Sequence, residues 1–137
     1  MNTEKLDITN FEKAILRLEE GLLAYQADTL QTLIRDGLIQ RFEFTYELSH
    51  KTLKRYLESV SATPEQYDNM AFQDLIRSGN EQGLLFGSWP EWKQYRNMRS
   101  KTSHTYDEDV AIEVIAGIPP FLGEARFLCD KLRKRLA

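Results

Sequence analysis

The chain has 137 residues, 42% hydrophobic and 28% charged, a length at which one core buries roughly two-thirds of the surface the unfolded chain exposes, so neither a metal nor a disulfide is needed to hold it. Seven glycines and four prolines are too few for a turn-rich β-sandwich or a disordered tail. Eighteen Lys and Arg against 21 Asp and Glu give a net charge of −3, which excludes a whole-surface nucleic-acid binder but leaves room for a local basic patch.

Phe11, Ile15, Leu18, Leu22 and Tyr25 are spaced four, three, four and three apart, the stripe of an amphipathic helix over about Asn10 to Ala27, with Thr9 and Glu12 as a capping box. A second pattern opens near Asp28-Thr29 and runs through Ile34, Leu38, Phe42, Tyr46, Leu53 and Leu57 to about Val60. It predicts a helix of roughly 45 Å, which needs partners along its length. Ser61-Ala62-Thr63-Pro64 stops it, because the residue before a proline is disfavoured in a helix.

A short helix follows, about Met70 to Gln82, then a turn over Gly83 to Gly87. Ser88-Trp89-Pro90-Glu91 reads as the next N-terminus, with a capping serine, a proline in the first turn and a glutamate three residues after the cap. That helix carries Trp92, Tyr95, Met98 and Thr102 and fades near His104. Asp107, with Glu108 and Asp109 behind it, caps the last helix, whose stripe runs from Val110 to Leu132 and whose Pro119-Pro120 pair predicts a kink or a split.

No window alternates with period two for long enough to be a strand. The expected architecture is all-α, an up-and-down four-helix bundle with one additional short helix, residues 1–137 forming a single domain. Cys129 is alone, so no internal disulfide or cysteine-based zinc site is expected, and a reducing cytoplasm is the expected location. Met1 to Asp7 lacks a signal-peptide pattern, and the most apolar stretch, Val110 to Leu122, contains Glu113 and the proline pair, so neither export nor membrane spanning is expected.

Glu47-Leu48-Ser49-His50 has the Glu-x-x-His spacing of di-iron bundles, but it occurs once, and Lys101 stands where a second copy ending at His104 would need its glutamate. No metal centre is expected; the plain reading is a solvated face on which Glu47 pairs with Lys51. No glycine-rich phosphate loop or nucleophilic triad is apparent, and no cofactor is implied.

Trp92 to His104 is different. It holds four Lys and Arg and no acid, so it carries +4 within a chain of net charge −3. On a regular helix Trp92, Tyr95, Arg96, Arg99 and Ser103 share roughly 100° of arc, which sets guanidinium groups on a half-apolar face. Such a charge requires a carboxylate, a phosphate or a partner surface, and the plain version is a salt bridge from Arg96 to Glu43 or Glu47. His104 is about 140° from Arg99 on an unbroken helix, so the two converge only if the helix ends first or a two-fold axis brings a second copy alongside. Phe44 and Leu48, an apolar pair off the main stripe, favour a second packing surface and hence a homodimer.

Arg99-Ser-Lys-Thr-Ser-His104-Thr-Tyr106 has the spacing Arg-x4-His-x-Tyr. With Tyr95-Arg96-Asn97 before it, Asp107 after it, and Gln40-Arg41-Phe42-Glu43-Phe44 and Tyr46-Glu47-Leu48 upstream, the chain resembles the HEPN family. It is most similar to the branch of nucleotidyltransferase substrate-binding proteins, over nearly its whole length. The resemblance implies a helical homodimer encoded with a minimal nucleotidyltransferase. It further implies that Arg99 and His104 form a metal-independent ribonuclease site, and that the nucleotidyltransferase silences this toxin by attaching AMP to Tyr106. Arg96, Lys101 and Ser103 are then expected to hold RNA or nucleotide phosphates. Two other readings stay open: a non-catalytic subunit that presents a substrate to the nucleotidyltransferase, and a purely structural bundle with Arg99 and His104 at a dimer contact.

Overall fold

Five α-helices and two short 3-10 turns account for nearly all of residues 6–137, the part of the chain described by this computed structural model. The reading of the N-terminal residues as lacking an export signal falls largely on residues 1–5, outside the described part. The helices are α1 (Thr9–Ala27), α2 (Thr32–Val60), α3 (Phe72–Glu81), α4 (Trp89–Lys101) and α5 (Glu108–Leu136). The 3-10 turns are Pro64–Tyr67 and Thr102–His104, and no strand occurs among the described residues.

The predicted stripes are the buried faces. Phe11, Ile15, Leu18 and Leu22 of α1 and Leu38, Phe42, Tyr46, Leu53 and Leu57 of α2 join one hydrophobic cluster with Trp92, Tyr95 and Met98 of α4 and Val114, Ile118, Phe121 and Ala125 of α5. Helices α1 and α2 run in opposite directions: Thr45 Oγ1 donates to the Ala14 carbonyl at 3.3 Å, and Arg41 Nη1 to the Arg17 carbonyl at 2.8 Å. Helix α5 lies along α2, with Phe121 against Phe42 and Tyr46, and α4 runs opposite to both, bringing Tyr95 and Trp92 onto the same Phe121 ring.

Three local expectations need correction. Thr9 and Glu12 form no capping box: Asp7 Oδ1 accepts the Thr9 N–H at 2.8 Å, and Glu12 is drawn across the bundle to Arg133 at 2.7 Å. Helix α2 starts at Thr32 rather than near Asp28, whose carboxylate accepts the Leu30 N–H at 3.2 Å and so holds a turn instead of opening a helix. Pro119 and Pro120 do not split the last helix, which is continuous from Glu108 to Leu136. Both prolines are exposed, so their rings face away from the core and displace no packed side chain. The remaining cap signals hold. Glu91 Oε1 accepts the Ser88 N–H at 2.8 Å, and Asp107 Oδ1 accepts from Asp109 and Val110 at 3.0 and 3.4 Å.

The loop before α4 is tied down by Glu124, a carboxylate only 2% exposed. It accepts the Phe86 N–H at 2.8 Å and the Gly87 N–H at 2.6 Å, and burial pushes its acidity toward the neutral form. Trp92 lies close enough to favour its charge, although the indole N–H meets no acceptor in hydrogen-bond geometry. Gly87 has no side chain for a steric reason, since a Cβ there would come within 2.7 Å of Glu124 Oε1. Replacing Glu124 by Ala is expected to lower stability by about 2–4 kcal/mol, because one buried and one half-buried N–H group lose their acceptor. Urea denaturation measures it, and Glu124→Gln, which keeps one acceptor, should lose less.

Candidate functional site between helices α2 and α4

Helix α4 crosses α2 so that its basic face lies over the acidic turn-to-turn ladder Glu43 and Glu47. Arg99 is about a third exposed and forks between them, Nη1 to Glu43 Oε2 at 3.1 Å and Nε to Glu47 Oε1 at 3.2 Å. Nη1 also donates to Thr102 Oγ1 at 2.9 Å, and that hydroxyl in turn donates to the Arg99 carbonyl at 2.7 Å. The salt bridge expected for Arg96 therefore belongs to Arg99. Arg96 instead sits over the Phe72 ring, 5.5 Å from its centroid, where the negative face of the ring attracts it.

Glu47 also contacts His50 Nε2 at 3.3 Å, so the pairing with Lys51 expected from helical spacing gives way to Arg99 and His50. His50 is the residue that sequence reasoning set aside. It packs edge-on against Tyr46 and Phe72, at centroid distances of 5.1 and 5.5 Å, and lines with them, Arg96, Arg99 and Ser100 a cavity of about 420 Å³. The signal that pointed to it was the Glu-x-x-His spacing, which marks a close imidazole–carboxylate pair here. Among the described residues no group of three or more His, Cys, Asp or Glu is placed to hold a metal ion.

Burial drives the His50 imidazole below its usual pKa of 6.5 in spite of Glu47, and pushes the Tyr46 phenol up to about 12. Both are therefore neutral near pH 7, leaving Arg96 and Arg99 as the charged donors of the cavity.

His104 ends the 3-10 turn after α4 and is exposed. The helix does end before His104, as one of the two expected routes to convergence requires. No hydrogen bond joins His104 to Arg99 among the described residues; the connection is Thr102, bonded to Arg99 at the start of the same turn. Tyr106 is 86% exposed and stands edge-on to His104, ring centroids 6.2 Å apart. Lys101 turns away to Glu113 on α5, and Ser103 is exposed, donating to the Ser100 carbonyl at 3.3 Å. The structure thus brings Arg96, Arg99 and His50 to one cavity, sets His104 and Tyr106 together at the adjoining turn, and leaves Lys101 engaged elsewhere.

These features define a small all-α bundle protein with a charged groove between its second and fourth helices and an imidazole–phenol pair at the end of that groove. The chain belongs to the family described as nucleotidyltransferase substrate binding protein like, whose model matches residues 6–134. It is 36% identical over 143 residues, covering 98% of this chain and 97% of the relative, to a Haemophilus influenzae protein named "Probable ribonuclease HepT". A solved Haemophilus influenzae structure, described as revealing the fold of a substrate binding domain of a nucleotidyltransferase, superposes with a TM-score of 0.86 at 34% identity, over 93% of this chain and 99% of that one. A Thermus thermophilus crystal structure aligns at 0.73 and 29% identity, over 90% of this chain and 98% of that one. No helix among the described residues is long and apolar enough to cross a membrane.

The depressed His50 pKa gives a pH-dependent stability of definite sign. The unfolded chain takes up a proton at about the ordinary value, before the folded chain does, so stability is full above about pH 6.5 and falls as pH drops through that value. Chemical denaturation at a series of pH values is expected to show this slope, and His50→Gln is expected to flatten it.

Proposed function

We propose that this chain is the HEPN-type partner of a minimal nucleotidyltransferase in a cytoplasmic two-component toxin–antitoxin system, a metal-independent ribonuclease that works as a homodimer of single-domain protomers. The observation that carries the reading is the exposed pair His104 and Tyr106, on the turn that directly follows the helix of Arg99. The Haemophilus influenzae relative named as a ribonuclease supports it.

In this reading His104 removes the proton of an RNA 2′-hydroxyl, whose oxygen attacks the adjacent phosphorus while the bond from phosphorus to the 5′-oxygen breaks. Arg99, held by Glu43, Glu47 and Thr102, faces the charge that builds on the phosphorane, Arg96 and Ser103 bind neighbouring phosphates, and Lys101 joins them on leaving Glu113. Two protomers meet along the exposed Phe44 and the neighbouring Leu48, so that the cleft is shared. The nucleotidyltransferase inactivates the site when the Tyr106 oxygen attacks the α-phosphorus of ATP and pyrophosphate leaves. The attached AMP puts negative charge and bulk where RNA must lie.

One observation favours a second reading, a non-catalytic subunit that binds a substrate for the nucleotidyltransferase. Arg99 is already neutralised by two carboxylates, which suits a group that positions more than one that attacks phosphate charge.

Expression without the partner separates the two. The nuclease reading expects slowed growth and RNA degradation that persists in EDTA, both lost in His104→Ala; if parent and variant are equally harmless, the binding subunit is the better account. Incubation with the nucleotidyltransferase and ATP is expected to raise the intact mass by AMP in the parent and not in Tyr106→Phe. An unchanged parent mass would remove the modification step.

A further inference from the structure

Glu47 has two claimants. Its Oε1 meets Arg99 Nε at 3.2 Å and its Oε2 meets His50 Nε2 at 3.3 Å, so one carboxylate is shared between a guanidinium and an imidazole. Glu43 takes another arm of the same guanidinium at 3.1 Å, and Arg96, over the Phe72 ring, is the other cation of the cavity. While His50 is neutral, the two arginines and the two glutamates cancel. A phosphate that enters then gains little from Arg99, whose charge is already matched, and is repelled by both carboxylates.

A proton on His50 changes that balance. The imidazolium pairs with the Glu47 oxygen that it already touches, the cavity gains a net positive charge, and the hold of Glu47 on Arg99 is divided. An anion seated at Arg96 and Arg99 acts in return on His50, because a negative charge close to an imidazole favours its protonated form. Anion binding and proton uptake therefore promote each other, since linkage between two equilibria is reciprocal.

His50 is the group placed to titrate. Tyr46, Glu47 and Lys51 of its own helix and Arg96 and Arg99 of α4 are the titratable or charged groups that face it. Helix α3 brings the Phe72 ring, and its own charges, Asp74 and Arg77, pair with each other at 3.3 Å. The Tyr46 phenol, pushed up to about 12, keeps its proton, and an arginine is charged at every relevant pH. The imidazole side chain is 21% exposed, enough to exchange its proton with solvent.

We propose that Glu47 and His50 form a proton-linked gate on the Arg96–Arg99 cavity: an RNA phosphate binds there together with a proton on His50, which takes over Glu47 and frees Arg99 for the phosphate. The gate rests on the reading of Arg96 and Arg99 as RNA ligands. It makes His50 a positioning residue, acting on the phosphate through Glu47 and Arg99, and it makes the site tight in mild acid and weak in mild alkali.

The test is fluorescence anisotropy with a labelled, 2′-O-methylated oligouridylate, which is not cut and whose bases and phosphodiesters do not titrate near neutrality. The parent is expected to bind about tenfold more tightly at about pH 5.5 than at about pH 7.5. His104→Ala is expected to keep most of that difference and His50→Gln to lose it. Glu47→Gln is expected to bind about tenfold more tightly than the parent at about pH 7.5, with a smaller pH dependence. Weaker binding by Glu47→Gln would make Glu47 a prop for Arg99 and overturn the gate. A pH dependence that is absent from the parent, survives in His50→Gln or vanishes in His104→Ala overturns the gate while the reading of the arginines stands. A measurement on the unsubstituted chain guards against a misfolded variant: the chain has two histidines, and the NMR titration midpoint of the His50 ring is expected to move to higher pH when the oligouridylate is added. A midpoint that stays in place overturns the gate. A parent that binds no RNA at either pH overturns both the gate and the reading beneath it.

Discussion

Phe121 is the ring against which three helices are set in register. It lies edge-on to Phe42 of α2 at 5.1 Å and to Tyr95 of α4 at 5.3 Å, with Tyr46 and Trp92 at 6.1 and 6.4 Å. Edge-to-face packing of this kind is geometrically demanding, and five rings sharing one neighbourhood leave little freedom for any helix to slide or rotate. The consequence is felt a turn or two away. With Tyr46 and Trp92 locked together, Glu43 and Glu47 face Arg99, and Arg96 comes over Phe72. The charged groove is the polar margin of an aromatic seam, and its distances are inherited from that seam.

Much of the helical frame was legible in the residues because periodicity is a local property. Stripes such as Phe11 to Leu22 and Leu38 to Leu57 have only one face that can be buried, and Ser88 with Glu91 and Asp107 before Val110 satisfy N–H groups within their own first turns. Most of what failed was decided by groups distant in the chain. Thr9 and Glu12 have the spacing of a cap, yet Asp7 reaches the N–H of Thr9 and Arg133 takes Glu12 from 121 positions away. The proline pair reads as an interruption, but both rings face solvent, a fact that depends on which side of α5 meets the bundle.

The site divides in the same manner. The basic character of α4 and the break before His104 follow from composition and from the Asp107 cap. Which arginine is paired could not be read: Arg96 and Arg99 lie on one face, and only the crossing of α4 over α2 decides that Arg99 meets both carboxylates, one of them 52 residues away. His50 was discounted because a lone Glu-x-x-His lacks a second half. Its value became visible only when α3 and α4 supplied Phe72 and Arg96 to the same cavity. The family assignment needed less, since it rests on the pattern of residues along the whole chain and not on any one contact.

The three-residue turn from Thr102 to His104 has a last consequence, for how such a site can vary. One hydroxyl clamps the first residue of the turn to Arg99, while each further residue of the 3-10 conformation turns the next side chain by about 120°. An inserted or deleted residue there would act as a rotary dial: it would re-aim the imidazole by a third of a circle while the arginine and its acidic brackets stayed where they are. Evolution can thus retune the angle between the two groups without disturbing the bundle beneath them.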